Sequence, residues 1–146
     1  MLSESARMNS AVEARFRVQA PTTSRGVVVV VALDARSEAV AARLARSAWN
    51  YARFLTVSSG NVLQEIESAD LVVMIASPGG NAEAAAAIGT LCSARRIMTT
   101  ALITGAESAS DAALAETLAQ LRPWSLMVVI AGSDEYVEDV LTALRA

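Results

Sequence analysis

The residues best suited to chemistry occupy the short segment Ser77-Pro-Gly-Gly-Asn81, which separates an apolar stretch from an alanine-rich stretch. The paired glycines Gly79 and Gly80 permit positive φ angles and a close approach of the backbone to a ligand. Ser77 offers a hydroxyl, and the side chain of Asn81 can cap a following helix. Backbone amides that precede a helix bind anions, so this segment is a candidate anion cradle. The same residue types also build an ordinary turn, in which Asn81 serves only the helix.

Further candidate residues follow the other apolar stretches of the chain. Asp34 follows the first stretch, where it could meet a ribose hydroxyl or simply cap the next helix. Arg36 would supply positive charge to an anion, or it could be a solvated side chain. Ser58 and Gly105 follow the second and the fourth stretches. Glu83 opposes anion binding at the cradle, because a carboxylate in a first helical turn neutralises the positive end of the helix dipole.

The composition excludes several kinds of catalytic site. The chain has no histidine, and all twelve of its basic residues are arginine. Serine-histidine and cysteine-histidine pairs, Schiff-base lysines and the P-loop lysine are therefore absent. Receivers and phosphatases keep a nucleophilic aspartate where Asp34 stands, but they also use further acids and normally a lysine. The lone Cys92 cannot form an internal disulfide or a cysteine cage for a metal, and we interpret it as a small buried apolar residue.

The charge and hydropathy of the chain bound its partners and its location. A net charge of −3 over 146 residues argues against a nucleic-acid surface, which requires a basic face. No apolar run reaches the roughly 18 residues that a membrane-spanning helix needs. Residues 1–10 are polar and do not resemble a signal peptide, so we expect a cytoplasmic protein. Abundant alanine with arginine in place of lysine is typical of a GC-rich bacterial genome. We expect no metal site, and the absence of histidine and lysine favours a non-catalytic protein over an enzyme.

Apolar strands alternate with helical patterns along the chain. We expect a partly disordered polar segment at 1–24, with an edge strand at 14–18, and one α/β domain at 25–146. Five consecutive valines favour a first strand that is buried on both faces. Helical spacing of apolar residues separates the strands. The predicted strands cover residues 27–33, 51–57, 71–76, 97–104 and 126–131, and the predicted helices cover 36–48, 62–67, 82–95, 111–121 and 134–145.

This alternation predicts right-handed crossovers and a mostly parallel sheet of about five strands with helices on both faces. The expected fold class is therefore α/β, a three-layer Rossmann-like sandwich. Its ligand crevice should lie beyond the carboxyl ends of the strands, where the strand order reverses. The loops at 34–36, 58–61, 77–81, 104–106 and 132–134 should converge there. The Gly-x-Gly-x-x-Gly fingerprint is missing, which argues against a dinucleotide.

The segment from Ala69-Asp70-Leu-Val through the glycine turn carries a resemblance to a known family. This strand, the small-residue helix after it and the stretch Met98–Thr104 resemble the nucleotide-binding half of the tubulin and FtsZ-like cell-division GTPases. The resemblance implies that a guanine nucleotide binds at the glycine turn. It does not imply hydrolysis, because that family's glycine signature and catalytic acids have no counterpart here.

Three functional hypotheses follow from the sequence, and the third is an enzyme, which would have to work with Asp34 and serines alone. The first is a small non-catalytic domain whose pocket binds a nucleotide or another anionic molecule. The alternative is a homo-oligomeric interaction module without a small ligand, which the alanine-rich helix favours and which an exposed Trp49 or Trp124 would support. The ligand contacts expected under the first hypothesis are Asp34, Arg36, Ser58, Ser77, Gly79, Gly80, Asn81 and Gly105.

Overall fold

The run of valines forms the central strand β1, which is buried on both faces as the sequence predicted. The computed structural model describes residues 26–144, so the predicted polar segment 1–24 and its edge strand lie outside the described residues. The other strands are β2 (Ala52–Thr56), β3 (Leu71–Ala76), β4 (Met98–Ile103) and β5 (Met127–Ile130), while β1 spans Val28–Ala32. The helices are α1 (Ala35–Leu44), α2 (Val62–Ile66), α3 (Ala84–Arg95), α4 (Asp111–Leu121) and α5 (Asp134–Ala143).

All five strands are parallel, and their order in the sheet is β2-β1-β3-β4-β5. This is the flavodoxin-like order of a doubly wound fold, in which the direction of winding changes between β1 and β3. The predicted α/β sandwich is therefore confirmed. The order also places the loops after β1 and β3 side by side, so the residues that follow these two strands become neighbours.

The helices divide between the two faces of the sheet. Helices α1 and α5 cover one face, where Val40 and Leu141 belong to the same apolar cluster as Val30. Helices α2, α3 and α4 cover the other face, where Ile88 and Val31 belong to a second cluster. Alternate valines of β1 thus serve different layers, which explains why every position of the strand is apolar. No helix within residues 26–144 is long and apolar enough to cross a membrane.

Several helix boundaries differ from the predicted ones, and hydrogen bonds explain two of the differences. Helix α1 ends at Leu44 rather than at residue 48, because the Trp49 indole donates a hydrogen bond of 2.7 Å to the Leu44 carbonyl and closes the helix there. Helix α3 begins at Ala84 rather than at residue 82. The Asn81 side chain accepts a hydrogen bond from the Glu83 amide at 3.0 Å, so it caps the turn that leads into α3.

Candidate functional site

Asp34 is the centre of a closed group of hydrogen bonds at the carboxyl ends of β1 and β3. Its Oδ1 accepts hydrogen bonds from the Ser37 amide at 2.8 Å and from the Ser77 hydroxyl at 2.9 Å. Its Oδ2 accepts a hydrogen bond from the Ser77 amide at 2.8 Å. Asp34 is therefore the N-cap of α1, as one of the two sequence interpretations proposed, and it also ties the loop after β3 to the loop after β1.

The glycine turn after β3 completes this group. A Cβ at Gly80 would lie 2.5 Å from Oδ2 of Asp34. The absence of a side chain at Gly80 therefore lets the backbone lie close to Asp34. Gly79 has a φ of +79°, and its amide donates a hydrogen bond of 3.0 Å to the Thr117 hydroxyl. We call this group the Asp34 cluster; it consists of Asp34, Ser37, Ser77, Gly79, Gly80 and Thr117.

The Asp34 cluster changes the interpretation of the predicted anion cradle. The amides of Ser77 and Gly79 already donate inside the protein. An anion at this turn would also meet the carboxylate of Asp34 at close range, and like charges repel strongly in a partly buried setting. Anion binding by this loop stays a prediction, but the structure gives its best donors another acceptor.

Ser58 lies apart from the other predicted contacts, in the short turn after the edge strand β2. Its hydroxyl donates a hydrogen bond of 2.9 Å to Oε1 of Glu38, and it lies 3.1 Å from the hydroxyl of Thr56. The structure thus brings Asp34, Ser77 and Gly80 together and brings Arg36 to Gly105, whereas Ser58 contacts neither group.

An open cleft of about 500 Å³ lies between α1 and α5, above the carboxyl end of β4. We call it the β4 cleft. Ala39 and Val40 form its apolar wall on the side of α1. Its polar lining consists of Arg36, Arg43, Thr104, Glu107, Ser108, Ser133 and Asp134.

Thr104 lines the β4 cleft directly after β4 and is only 2% exposed. Its backbone amide donates a hydrogen bond of 2.9 Å to the Ala76 carbonyl, but its Oγ1 has no hydrogen-bond partner among the described residues. A buried hydroxyl without a partner costs about 1–3 kcal/mol. The hydroxyl of Ser37 is also buried without a partner, but Ser37 does not line the cleft. Thr104 is thus a residue of the cleft wall that carries an unsatisfied polar group.

Arg36 brings an unpaired positive charge to the cleft. Its guanidinium lies over Gly105, where a Cβ would come within 2.8 Å of Cζ, and its Nη2 is 3.4 Å from the Ser108 hydroxyl. In the part of the chain from 26 to 144, no carboxylate lies within ion-pair distance of this guanidinium. Gly105 also has a φ of +72°, so both the arginine and the backbone conformation require glycine at this position.

The opposite rim of the cleft is the first turn of α5. Ser133 caps this helix by accepting a hydrogen bond of 3.3 Å from the Tyr136 amide. Asp134, in the same turn, forms an ion pair with Arg43 of α1. This ion pair bridges α1 and α5 and leaves Arg36 as the cleft arginine without a carboxylate partner among residues 26–144.

Cys92 lies in α3 and is fully buried, as its sequence interpretation expected. Burial raises the pKa of its thiol to about 11, because the protein interior disfavours the charged thiolate. The thiol is therefore protonated at neutral pH and is a poor nucleophile. Across the described range, no group of three or more histidine, cysteine, aspartate and glutamate side chains is arranged to hold a metal ion.

The sequence analysis had pointed to the loops at 104–106 and 132–134 and had named Gly105 as a ligand contact, but it had not named Thr104, Glu107 or Asp134, which also line the cleft. Arg43 follows Arg36 by seven residues, a spacing that puts both side chains on one face of α1. The sequence could therefore have identified Arg43 as a neighbour of Arg36. Nothing in the sequence marks Thr104 as unpaired or Thr117 as the partner of Gly79, because both facts depend on which helices lie beside which loops.

The fold and the cleft define a small doubly wound α/β domain that is open at the carboxyl edge of its sheet. No protein-family model matches the chain, and no curated protein matches it. Among solved structures, the chain is similar to the signal receiver domain of NarL from Mycobacterium tuberculosis, with 18% sequence identity and a TM-score of 0.46. The similarity covers 82% of this chain and 97% of that one. At this identity and score, it carries no conclusion about function.

The predicted resemblance to tubulin and the FtsZ-like GTPases is wrong. The strand order β2-β1-β3-β4-β5 is the flavodoxin-like one. The short motif from Ala69 to the glycine turn misled because a buried strand, a glycine turn and a small-residue helix recur in many α/β folds with different strand orders.

Proposed function

We propose that this domain binds a small molecule with an anionic group in the β4 cleft and does so without catalysing a reaction. The observation that carries the proposal is the Thr104 hydroxyl, which is buried and has no hydrogen-bond partner within residues 26–144. Proteins seldom leave such a group unsatisfied, and a ligand atom in the cleft would supply the missing partner.

Arg36, which lines the cleft together with Thr104, favours an anionic group. Arg36 has no carboxylate partner in the described part of the chain, and its guanidinium can donate two parallel hydrogen bonds to a carboxylate or a phosphate. The positive end of the α5 dipole also faces the cleft, although Asp134 offsets part of it. A volume of about 500 Å³ falls within the ordinary range for sites that hold small molecules.

Binding without catalysis fits the side chains of the cleft. The Ser108 hydroxyl is 3.3 Å from the Gly105 carbonyl and 3.4 Å from Arg36, and the Ser133 hydroxyl serves as a helix cap. Within the described range, neither hydroxyl bonds to a group that could take its proton as a general base. The chain has no histidine that could act from elsewhere.

The proposal is tested by a thermal-shift screen against inorganic phosphate, carboxylates, phosphosugars and nucleotides, followed by calorimetric titration of any hit. A ligand at a hundred times its dissociation constant should add about 2.7 kcal/mol of stability. Arg36→Gln should weaken binding at least about tenfold. Arg46→Gln is the matched control, because Arg46 lies just beyond α1 and does not line the cleft.

Two results would reject the proposal. One is a screen without any hit. The other is a hit whose affinity is the same in the Arg36→Gln and Arg46→Gln variants, because that ligand would bind somewhere other than the β4 cleft.

The alternative function, a homo-oligomeric interaction module, is favoured by a different observation at the edge strand β5. Leu126 is 73% exposed, and Met127 and Met98 beside it are 44% and 56% exposed. An uncovered apolar edge strand can pair with the same strand of a second copy around a two-fold axis. The opposite edge strand β2 instead carries Arg53, which forms an ion pair with Glu65 at 2.9 Å and so protects that edge.

Neither tryptophan supports this alternative in the way that the sequence suggested. Trp49 packs against Phe54 with the ring centroids 5.9 Å apart, and Trp124 packs against Gly89, so both side chains are half-buried within their own domain. The proposed interface therefore rests on Leu126 and its neighbours and not on the tryptophans.

Sedimentation measurements over a range of concentrations test the alternative. A self-associating species should be lost in Leu126→Arg and kept in Leu63→Arg, since Leu63 is also exposed (45%) but lies in α2, away from β5. A species that stays monomeric at every concentration would reject the alternative, and so would one that dissociates equally in both variants.

A further inference from the structure

The β4 cleft contains two charged side chains of opposite sign that have no ion-pair partner within residues 26–144. They are Arg36 and Glu107. The other two charged residues of its lining, Arg43 and Asp134, neutralise each other in an ion pair. The charge that remains available to a ligand is therefore one cation and one carboxylate, rather than a net positive field.

The two unpaired groups approach different parts of the cleft. The Arg36 guanidinium lies over Gly105, at the end of β4. The Glu107 carboxylate faces the turn after β5, where its Oε1 would be 3.7 Å from a Cβ at Gly132. The two side chains do not pair with each other, so their charged ends are more than the ion-pair distance of 4.0 Å apart. The unpaired hydroxyl of Thr104 belongs to the same lining.

We propose that the ligand of the β4 cleft is a zwitterion of the α-amino-acid type, whose carboxylate binds Arg36 and Thr104 while its ammonium binds Glu107. This inference rests on the proposed function, because it specifies the ligand class of the same site. A ligand with both charges satisfies both unpaired groups, whereas a simple anion leaves Glu107 unpaired and exposes it to like charge. Ala39 and Val40 form an apolar wall against which the side chain of such a ligand can pack.

Matched probes separate the contribution of each charge. L-leucine carries both charges, 4-methylpentanoate is the same molecule without the amino group, and 3-methylbutylamine is the same molecule without the carboxylate. L-alanine, propionate and ethylamine form a second set with a smaller side chain. Each probe is titrated calorimetrically into the full chain, and the perturbation of backbone amide resonances locates the site. We expect at least one amino acid to bind at least about tenfold more tightly than its matched acid and its matched amine.

Glu107→Gln and Arg36→Gln provide the decisive variants, with Glu116→Gln as a matched control on α4, outside the cleft lining. Glu107→Gln should reduce the affinity for the amino acid to that of its matched acid and leave the affinity for the acid unchanged or higher. Arg36→Gln should weaken both. Glu116→Gln should change neither, and circular dichroism checks that every variant is folded.

The outcomes distinguish failure of this inference from failure of the proposed function. If the acid binds as tightly as the amino acid, or if Glu107→Gln has the same effect as Glu116→Gln, the zwitterion is rejected and an anion site remains. If inorganic phosphate or a nucleotide binds through Arg36 while all six probes fail, the zwitterion is also rejected and the proposed function stands. If neither these probes nor the anion panel binds, both fail.

Discussion

The Asp34 cluster and the β4 cleft lie at the same carboxyl edge of the sheet and are built from the same kinds of residue. They differ in whether their polar groups find partners within the protein. In the Asp34 cluster, a carboxylate accepts three hydrogen bonds from Ser37 and Ser77. In the β4 cleft, the Arg36 guanidinium has no carboxylate partner among residues 26–144. The Thr104 hydroxyl has no hydrogen-bond partner in the same range. The first region is closed by its own contacts, and the second is open to a ligand.

Two buried threonines make this contrast concrete. Thr117 is 1% exposed and accepts a hydrogen bond from the Gly79 amide, whereas Thr104 is 2% exposed and its hydroxyl has no partner in the described chain. Residue type and burial are the same, so only the surroundings differ. A candidate site is thus better identified by unsatisfied polar groups than by the presence of glycine, serine and asparagine in a loop.

The largest effect is expected at the centre of the closed region. Asp34→Asn replaces an acceptor-only carboxylate by an amide whose NH₂ group must face a donor, and it removes the charge from the helix cap. We expect the free energy of unfolding to fall by about 3 kcal/mol. Urea denaturation measures this, with Asp139→Asn as the control on the exposed face of α5, where a change within about 0.5 kcal/mol is expected. Equal effects of the two substitutions would contradict the structural role of Asp34.

Gly80→Ala tests whether the glycine turn is shaped by Asp34. The new Cβ would lie 2.5 Å from the carboxylate, and we expect a loss of about 2 kcal/mol from this overpacking. Gly26→Ala is the control, because its Cβ would meet nothing closer than 3.7 Å. In an Asp34→Ala background, the cost of Gly80→Ala should shrink, since the clashing oxygen is gone. Full additivity of the two substitutions would show that the clash is elsewhere.

The paired substitutions Thr117→Val and Thr104→Val test the contrast itself at constant shape. Thr117→Val leaves the Gly79 amide without its acceptor and should cost about 1.5 kcal/mol. Thr104→Val removes a hydroxyl that has no partner in the described structure, so the ligand-free protein should keep its stability or gain up to about 1 kcal/mol. Chemical denaturation of both variants measures the difference. A loss at Thr104 as large as that at Thr117 would mean that the Thr104 hydroxyl is already satisfied.

The smallest effect is expected at the ion pair that bridges α1 and α5. Arg43→Gln breaks the contact with Asp134, but both side chains are about half exposed and solvent screens them. We expect a loss of no more than about 0.5 kcal/mol, which should disappear in high salt. Denaturation at low and high ionic strength checks this. A large loss that persists in high salt would indicate that Arg43 packs on the cleft wall rather than acting through its charge.

The fold was largely predictable because its signals are local and repeated. The valines of β1 can be buried on two faces only in a parallel sheet covered by helices, and the alternation of strands and helices leads to the same architecture. The helix boundaries were less predictable, because α1 stops where the Trp49 indole reaches the Leu44 carbonyl. That contact belongs to the packed structure rather than to the periodicity of the helix.

The predicted ligand contacts also fall into two groups, those that line the cleft and those that bond to other residues of the protein. Arg36 and Gly105 do lie together in the cleft, because both follow strands whose carboxyl ends share one edge. Ser77 bonds to Asp34, which is 43 residues away in the sequence, and Gly79 bonds to Thr117, which is 38 residues away. These hydrogen-bond partners are distant in the sequence, so the residue types of the loop alone do not reveal them.

By itself, the sequence determined that this chain forms a parallel α/β sandwich, that histidine and lysine chemistry is excluded, and that any site should lie at the carboxyl edge of the sheet. Only the tertiary structure decided which part of that edge is open. The strand order sets Asp34 beside Ser77, where the two side chains bond to each other, while the Thr104 hydroxyl has no partner among residues 26–144. The physical reason is that hydrogen-bond satisfaction is a property of neighbours in space, and the order of strands determines those neighbours.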